Sequence, residues 1–339
     1  MKKTFGGGFY PDPGFSNKTA ADRSALDCAP VFSPLGKKIT DYSGPELRSV
    51  LSERGVFLPD EHTCKIKALI VNFSETDVGL SLFSLLAKSY PDEIVSGAKI
   101  ISRISGAACV VFAFPSDRKA EYDLIDDRIP ETLTGMKAVF VDRKYPMNDT
   151  RCIVSAYADK EYSTDIDEKD IPYLCVSPET CLSVYSVLAL GLKSGKYISV
   201  GGELISDAVL VKADKETTVG NVLSSLGITP AGDIILGGLC KGESTDGDAK
   251  IGENDGILLM NEKTENKVFS CLGCGRCDSA CPMKLLPSSF VRKSIFTAKT
   301  EQIRASHCID CKACSYVCPA NIDVFGLISG IRERGGDDV

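Results

Sequence analysis

The residues best equipped for chemistry are cysteines near the carboxyl end. Cys271, Cys274, Cys277 and Cys281 fall within "CLGCGRCDSACP" and are closed by Pro282. The same spacing returns as Cys308, Cys311, Cys314 and Cys318, closed by Pro319. Thiols so dense can hold each other, hold metal, or simply be buried. The chain has 15 cysteines in 339 residues, an odd number, and its start "MKKTFGGG" puts glycines where an export signal needs an apolar run. Disulfide frameworks belong to exported proteins, so metal is the stronger reading.

The doubled C-x2-C-x2-C-x3-C-P pattern is the spacing of bacterial two-cluster ferredoxins. Three thiolates spaced by two residues wrap a short loop around one face of an iron–sulfur cube. The fourth, three residues further on, has entered a helix and points away, so it ligates the other cube. The expectation is two 4Fe-4S clusters: one held by Cys271, Cys274, Cys277 and Cys318, the other by Cys308, Cys311, Cys314 and Cys281. The prolines suit chain turns beside a cluster because they give up an N–H and fix φ. Zinc also uses CxxC pairs, but it gains nothing from interlocked third and fourth spacings.

The neighbours of these thiols have expected roles too. Gly273 and Gly275 permit close backbone N–H approach, while Leu272, Ile309 and Ala313 offer dry cover. Lys312 and Arg276 stand beside ligands, where they raise the potential or steer a partner, and His307 adjoins Cys308, where it is either solvated or a tuning group. Between the motifs, Phe290, Ile295 and Phe296 with helix formers from Lys299 to Arg304 suggest helices, capped by Ser288 or Ser289 after Pro287. "DVFGLISGIRERG" reads as a last short helix. Lys284, Arg292, Lys293, Lys299 and Arg304 against Glu301 make this linker basic. It reads as a docking face for an acidic carrier, or as a solvated helix face.

Other elements must carry this module. Hydrophobic content of 43% and charged content of 25% are those of a globular chain. A net charge of -7 argues against nucleic acid as a partner. No apolar run reaches the ~18 residues of a membrane span. "IKALIVNF", "AACVVFAFP", "MKAVFVD" and "RCIVSAY" read as strands, and "DVGLSLFSLLAKSY" and "PDEIVSGAKIISRISG" as amphipathic helices. After "YLCV", Ser177 caps a helix with Pro178 first and Gly191 or Gly195 as its stop. The alternation predicts a three-layer α/β domain. "KYISVGG", "DAVLVKAD", "TTVGNVLSSLG" and "DIILGG" predict a small β-grasp unit, followed by the polar loop "KGESTDGDAKIGENDG", to which no metal is assigned. Cys28, Cys64, Cys109, Cys152, Cys175, Cys181 and Cys240 lie outside the motifs. Cys109 and Cys152 read as buried strand residues, while Cys175 and Cys181 flank the Ser177 helix start, where a redox pair is one option. Histidine chemistry is unpromising with only His62 and His307.

An α/β domain, a β-grasp unit ending "IILGG", then "CLGCGRCDSACPMKLLP" and "CSYVCPANIDV" resemble the C subunit of the Rnf ferredoxin:NAD oxidoreductase. The cobalamin reductase of propanediol utilisation and the flavin subunit of respiratory complex I are similar, more distantly. The resemblance implies four regions: an extension over 1–45, an α/β domain like the FMN/NADH-binding domain over 46–195, an SLBB-like β-grasp domain over 196–262, and a helical two-cluster ferredoxin domain over 263–339. It also implies an FMN site, at which this chain departs from the family wording. "VLSERGVFLPDEHT" stands where the family has a glycine-rich loop, "NFSETDVG" keeps Asn72 and Glu75, and "SPET" keeps Glu179 and Thr180. Those four residues are the candidate flavin contacts. Asn72 and Glu75 fit a turn and a helix cap equally well.

Eight intact cluster ligands beside an eroded flavin loop suggest a subunit that relays single electrons between a low-potential carrier and a partner. The candidate partners are ferredoxin, flavodoxin or neighbouring subunits of a complex. The alternative is an FMN-dependent NADH:acceptor oxidoreductase with a modified flavin site. The expected place is the cytoplasm, reaching a membrane face only through partner subunits.

Overall fold

The computed structural model describes residues 39–129, 135–192, 195–229, 232–261, 267–292 and 297–334. Lys293, Ile295 and Phe296, Cys28 and nearly all of the expected extension lie outside the described residues.

The first region opens with α1 (Gly44–Glu53), where Ser43 and Glu46 form a reciprocal capping box. It continues through β1 (Ala68–Asn72), α2 (Leu82–Ser89), α3 (Pro91–Ser105), β2 (Val110–Pro115), α4 (Lys119–Asp126), β3 (Met136–Val141), α5 (Thr150–Ala158), β4 (Tyr173–Val176) and α6 (Pro178–Leu188). The four strands are all parallel, in the order β3-β2-β1-β4. Period-two alternation divides the strands between two apolar layers. Leu69, Val71, Phe112 and Phe114 pack on one face with Leu86, Ile94, Ile101 and Leu182. Ala68, Ile70, Val111 and Ala113 pack on the other with Ile153 and Val154. Both faces of the sheet are therefore covered, as an all-parallel sheet requires. Helices α3 and α6 touch at Gly97, where a Cβ would lie 1.9 Å from the Cys181 carbonyl oxygen.

Two local expectations fail here. "RCIVSAY" is the helix α5, not a strand: Asp149 accepts the N–H groups of Arg151 and Cys152. Ile153, Val154, Tyr157 and Ala158 then reach the core at helical spacing, so tertiary packing outweighs the β-branched run. Helix α2 is not amphipathic, since six of its eight residues are buried. Helix α6 ends at Leu188, and Gly191 just beyond it turns left-handed (φ 68°) while the Leu192 N–H returns to the Ser186 carbonyl, as expected of its stop. The Ser177 cap and the first-turn Pro178 stand as expected.

The second region contains β5 (Lys196–Gly202), β6 (Val209–Ala213), α7 (Val219–Ser225), β7 (Asp233–Leu236), β8 (Glu243–Thr245) and β9 (Gly256–Met260). Its mixed sheet runs β6-β5-β9-β7-β8, with β5 and β9 parallel at the centre. Ile198, Val200, Ile257 and Leu259 bury against Val222 and Leu223 of α7. The stretch read as a polar loop supplies the edge strand β8, and "GILLM", unassigned from sequence, is a central strand.

In the third region the described residues form helices and turns: α8 (Arg276–Ala280), α9 (Pro287–Val291), α10 (Ala298–Ser306), α11 (Ala313–Tyr316) and α12 (Val324–Arg334). Leu285, Phe290, Ala305, Val324 and Ile328 form its core together with Cys314. Neither Ser288 nor Ser289 caps α9: Leu286 holds that position with φ 51°, and Ser288 bonds Asp278 through both its N–H (2.8 Å) and its hydroxyl (2.6 Å). Polar contacts join the regions. Buried Asp77 accepts the N–H groups of Cys240 and Lys241 at 3.1 and 2.7 Å, and Lys196 bridges Glu179 and Asp255 at 3.0 and 2.5 Å.

Candidate metal centre

The two cysteine motifs fold into one repeated backbone figure. The second and fourth residues after the leading cysteine are left-handed in both: Gly273 and Gly275 (φ 68° and 70°), Asp310 and Lys312 (φ 54° and 56°). The third residue after the last cysteine repeats it, as Lys284 and Asn321 (φ 54° and 55°). Left-handed backbone disfavours side chains with a Cβ, so four non-glycine residues held there mark a built loop. Each loop then enters a short helix, α8 or α11, which carries the third cysteine, and the fourth follows the helix end.

This path crosses the quartets. One cavity is lined by Cys271, Cys274, Cys277 and Cys318, with Val291, Ile322 and Val324 among its walls. A second is lined by Cys308, Cys311, Cys314 and Cys281, with Met283, Leu285 and Ile328. Neither cavity takes a cysteine from the other set. Among the described residues, no three His, Cys, Asp or Glu side chains converge closely enough to hold a single metal ion. Tetrahedral zinc with Zn–S near 2.3 Å needs sulfurs roughly 3.8 Å apart. A donor set of four thiols spread around an apolar hollow fits a larger, thiolate-held group instead.

The thiol environments differ. Cys271 and Cys274 are exposed, whereas Cys311 and Cys314 are buried. Without metal, burial pushes Cys314 up to about 12, and Cys277 and Cys308 to about 11. Such thiols stay protonated at neutral pH, so metal loading must displace their protons. Cys271 is held below the usual thiol range, first by the N–H of Gly273 and then by the Arg292 guanidinium. The Leu285 N–H reaches the sulfur of Cys281 at 3.4 Å, and backbone N–H groups of Asp310 and Ala313 serve Cys308 and Cys311. Hydrogen bonds of this kind help set the potential of a bound cluster.

Several expected neighbours behave otherwise. Leu272 lines the first cavity but is 68% exposed, so it is a poor cover, while Ala313 is buried and Ile309 lines the second cavity. His307 neither faces solvent freely nor turns to the sulfurs: its Nδ1 lies 2.6 Å from the Thr164 hydroxyl. The linker's basic groups are partly engaged within the chain. Lys284 meets Glu161 at 3.3 Å, and Arg304 donates to the Leu285 carbonyl and sits over the Phe290 ring. Cys175 and Cys181 pack on opposite faces of the sheet, which removes the redox pair. Cys109 and Cys152 are only partly buried. Sequence reading missed Tyr145, whose hydroxyl donates to the Cys311 carbonyl at 2.8 Å from across the chain. Nothing in sequence spacing links positions so far apart.

The four candidate flavin contacts are each engaged inside the chain. Asn72 donates to the Met147 carbonyl at 2.8 Å and accepts the Ser74 N–H at 3.0 Å. Glu75 accepts the N–H groups of Phe83 and Ser84 at the start of α2. Burial pushes its carboxyl up to about 7, against the pull of Arg118 and those N–H groups. Glu179 is taken by Lys196 and the Tyr197 N–H, and Thr180 by Ser177. The turn-and-cap reading of Asn72 and Glu75 accounts for their bonds. This donor set does not fit FMN as the family motif would hold it.

Two family models described as "4Fe-4S dicluster domain" match residues 270–322 and 250–286. The chain carries the iron–sulfur signature for two 4Fe-4S clusters. It is 26% identical over 275 residues to the C subunit of the ion-translocating oxidoreductase complex of Buchnera aphidicola, covering 75% of this chain and 56% of that protein. It is 23% identical over 312 residues to the C subunit of the proton-translocating ferredoxin:NAD(+) oxidoreductase complex of Clostridium ljungdahlii, covering 83% and 66%. The resemblance to Rnf-type C subunits therefore extends over most of the chain. In the other direction, the chain spans about half the length of the Buchnera relative. A chain of the NAD+-reducing [NiFe]-hydrogenase superposes with a TM-score of 0.54 at 13% identity, over 92% of this chain and 64% of that one, a likeness of fold. Among the described residues, no helix is long and apolar enough to cross a membrane.

Proposed function

We propose that this chain is an electron-relay subunit of an oxidoreductase complex. Cys271, Cys274, Cys277 and Cys318 would hold one 4Fe-4S cluster, and Cys308, Cys311, Cys314 and Cys281 the other. The observation that carries the reading is the pair of cavities, each walled by one complete crossed quartet and otherwise almost wholly apolar. Bound there, the clusters would supply one-electron redox chemistry. Apolar walls shield the second quartet, the first stays open at Cys271 and Cys274, and backbone N–H groups reach sulfur in both.

In this reading residues 46–195 are a complex I flavin-subunit-like α/β domain serving as scaffold, and 196–262 an SLBB-like β-grasp domain. Residues 263–339 are an all-helical two-cluster module. The strand order β6-β5-β9-β7-β8 with α7 laid across it supports the β-grasp assignment. The partners are a low-potential carrier on one side and a neighbouring subunit on the other, in the cytoplasm or against a membrane face through that subunit. The similarity to subunits of ion- and proton-translocating complexes supports this assembly.

The test is reduction of the anaerobically purified protein by a neutral photoreductant, followed by reoxidation with a one-electron acceptor. Both cluster signals should cycle, with no flavin released by acid. Stoichiometric FMN together with cluster reduction by NADH would replace the relay with the flavin-dependent oxidoreductase.

A further inference from the structure

The two quartets are unequal in their access to solvent, and this inequality indicates where a partner docks. The second quartet lies inward. Its Cys311 and Cys314 are buried, and Tyr145 of the α/β region holds the Cys311 carbonyl. The first quartet lies outward, with Cys271 and Cys274 exposed. Beside it runs the segment Lys267–Leu272. It is pinned to the loop after Cys318, because the Phe269 N–H donates to the Ala320 carbonyl at 2.9 Å. The Asn321 side chain donates to the Lys267 carbonyl, also at 2.9 Å. Three large apolar side chains of that segment stand in solvent: Val268, Phe269 and Leu272, at 69%, 59% and 68% exposure. The backbone beneath them is fixed, so their exposure is built in.

The rim of this patch is cationic. Between residues 267 and 292 the charged residues are Lys267, Arg276, Asp278, Lys284 and Arg292. Lys284 pairs with Glu161, and the single acid, Asp278, accepts from Ser288 but keeps its negative charge, so the cations outnumber it three to one. That leaves Lys267, Arg276 and Arg292 around the exposed loop, on a chain whose net charge is -7. Arg292 also packs over Gly273, where a Cβ would sit 2.2 Å from its guanidinium, and reaches the sulfur of Cys271.

We propose that Val268, Phe269 and Leu272, ringed by Lys267, Arg276 and Arg292, form the docking site for a small, soluble, acidic one-electron carrier protein. The inference rests on the relay reading and names the partner class at its outward quartet. An apolar centre with a charged rim is the anatomy of an interface, and a small one suits an encounter that must dissociate after each turnover. Cationic groups here steer an acidic carrier that the rest of this acidic chain repels. The exchange balances simply: one electron leaves the reduced carrier and enters this chain through the first quartet, and no bond or proton moves.

The test uses the full-length protein carrying both clusters, with an acidic bacterial 4Fe-4S ferredoxin as the probe. Titration calorimetry of the oxidised proteins should show binding that weakens about tenfold or more between low and physiological salt. Zero-length carbodiimide coupling should join Lys267 to carrier carboxylates. The variant Lys267→Glu should raise Kd severalfold, and so should Phe269→Ser. Both should keep the cluster spectra and the photoreduction of wild type. Unchanged affinity in both variants, salt-independent binding, or cross-links confined to other surfaces would overturn the site. So would sedimentation showing the patch closed by a second copy of the chain. If ferredoxin does not bind while both clusters still photoreduce, docking fails and the relay stands. If the clusters do not photoreduce, the relay itself fails.

Discussion

Replacing Lys196 by Met tests how the sheet region is fixed to the α/β region. The Lys196 ammonium is 8% exposed and lies 3.0 Å from Glu179 and 2.5 Å from Asp255, which are 16% and 18% exposed. At an effective dielectric near 20, each contact is worth roughly 5–7 kcal/mol in gross Coulomb terms. Desolvation of the lysine offsets much of that. Both opposing effects act on its titration, and the two carboxylates win, holding it above the ordinary lysine range. Methionine fills the same volume but leaves two carboxylates facing each other without a cation. Breaking a buried pair in this way costs about 3–5 kcal/mol. Native-state hydrogen exchange at the β5 amides reads that cost directly, on the folded protein. Protection there should fall by roughly two to almost four orders of magnitude. Adding Glu179→Gln should recover part of it, because one of the stranded charges is removed. If Lys196→Met changes protection by less than about fivefold, the triad is not a fastener and the reasoning is wrong.

Three further outcomes follow from the geometry. Cys318→Ala should abolish the cluster held mainly by the first motif and leave the second, as electron paramagnetic resonance can tell; loss confined to the second would remove the crossing. Glu75 titrates near 7 in the folded chain against 4.5 otherwise. A raised folded value means its contribution is full below about 4.5 and is lost as pH rises through about 7. The melting temperature should therefore drop over that window by the equivalent of at most about 3 kcal/mol. Glu75→Gln should flatten the drop, and an unchanged pH profile would contradict the assignment. Tyr145→Phe removes one hydrogen bond to the Cys311 carbonyl, worth about 1 kcal/mol. Faster exchange at the amides following Cys311, and a changed spectrum of the second cluster alone, should result. Identical spectra with identical exchange would deny Tyr145 a positioning role.

The site was legible in the sequence because its information is local. A cube needs thiolates at fixed short spacings, and Cys271 to Cys281 and Cys308 to Cys318 display them without reference to the fold. The cap at Ser177 was local in the same sense, a side chain three residues from its N–H partner. What failed was decided at a distance. Ile153 and Val154 read as strand until a sheet face required them on a helix. The "GILLM" segment is a strand because β5 and β7 flank it. The bond between Glu179 and Lys196, 17 residues on, has no local signal either. The partner of Tyr145 is 166 residues away.

The most direct trial of the central claim is metal analysis of the oxygen-free protein together with its spectrum. Two crossed quartets predict about eight irons and eight sulfides per chain, a brown colour, and two interacting 4Fe-4S signals on reduction. A colourless preparation, or one holding zinc in place of iron, would contradict the account.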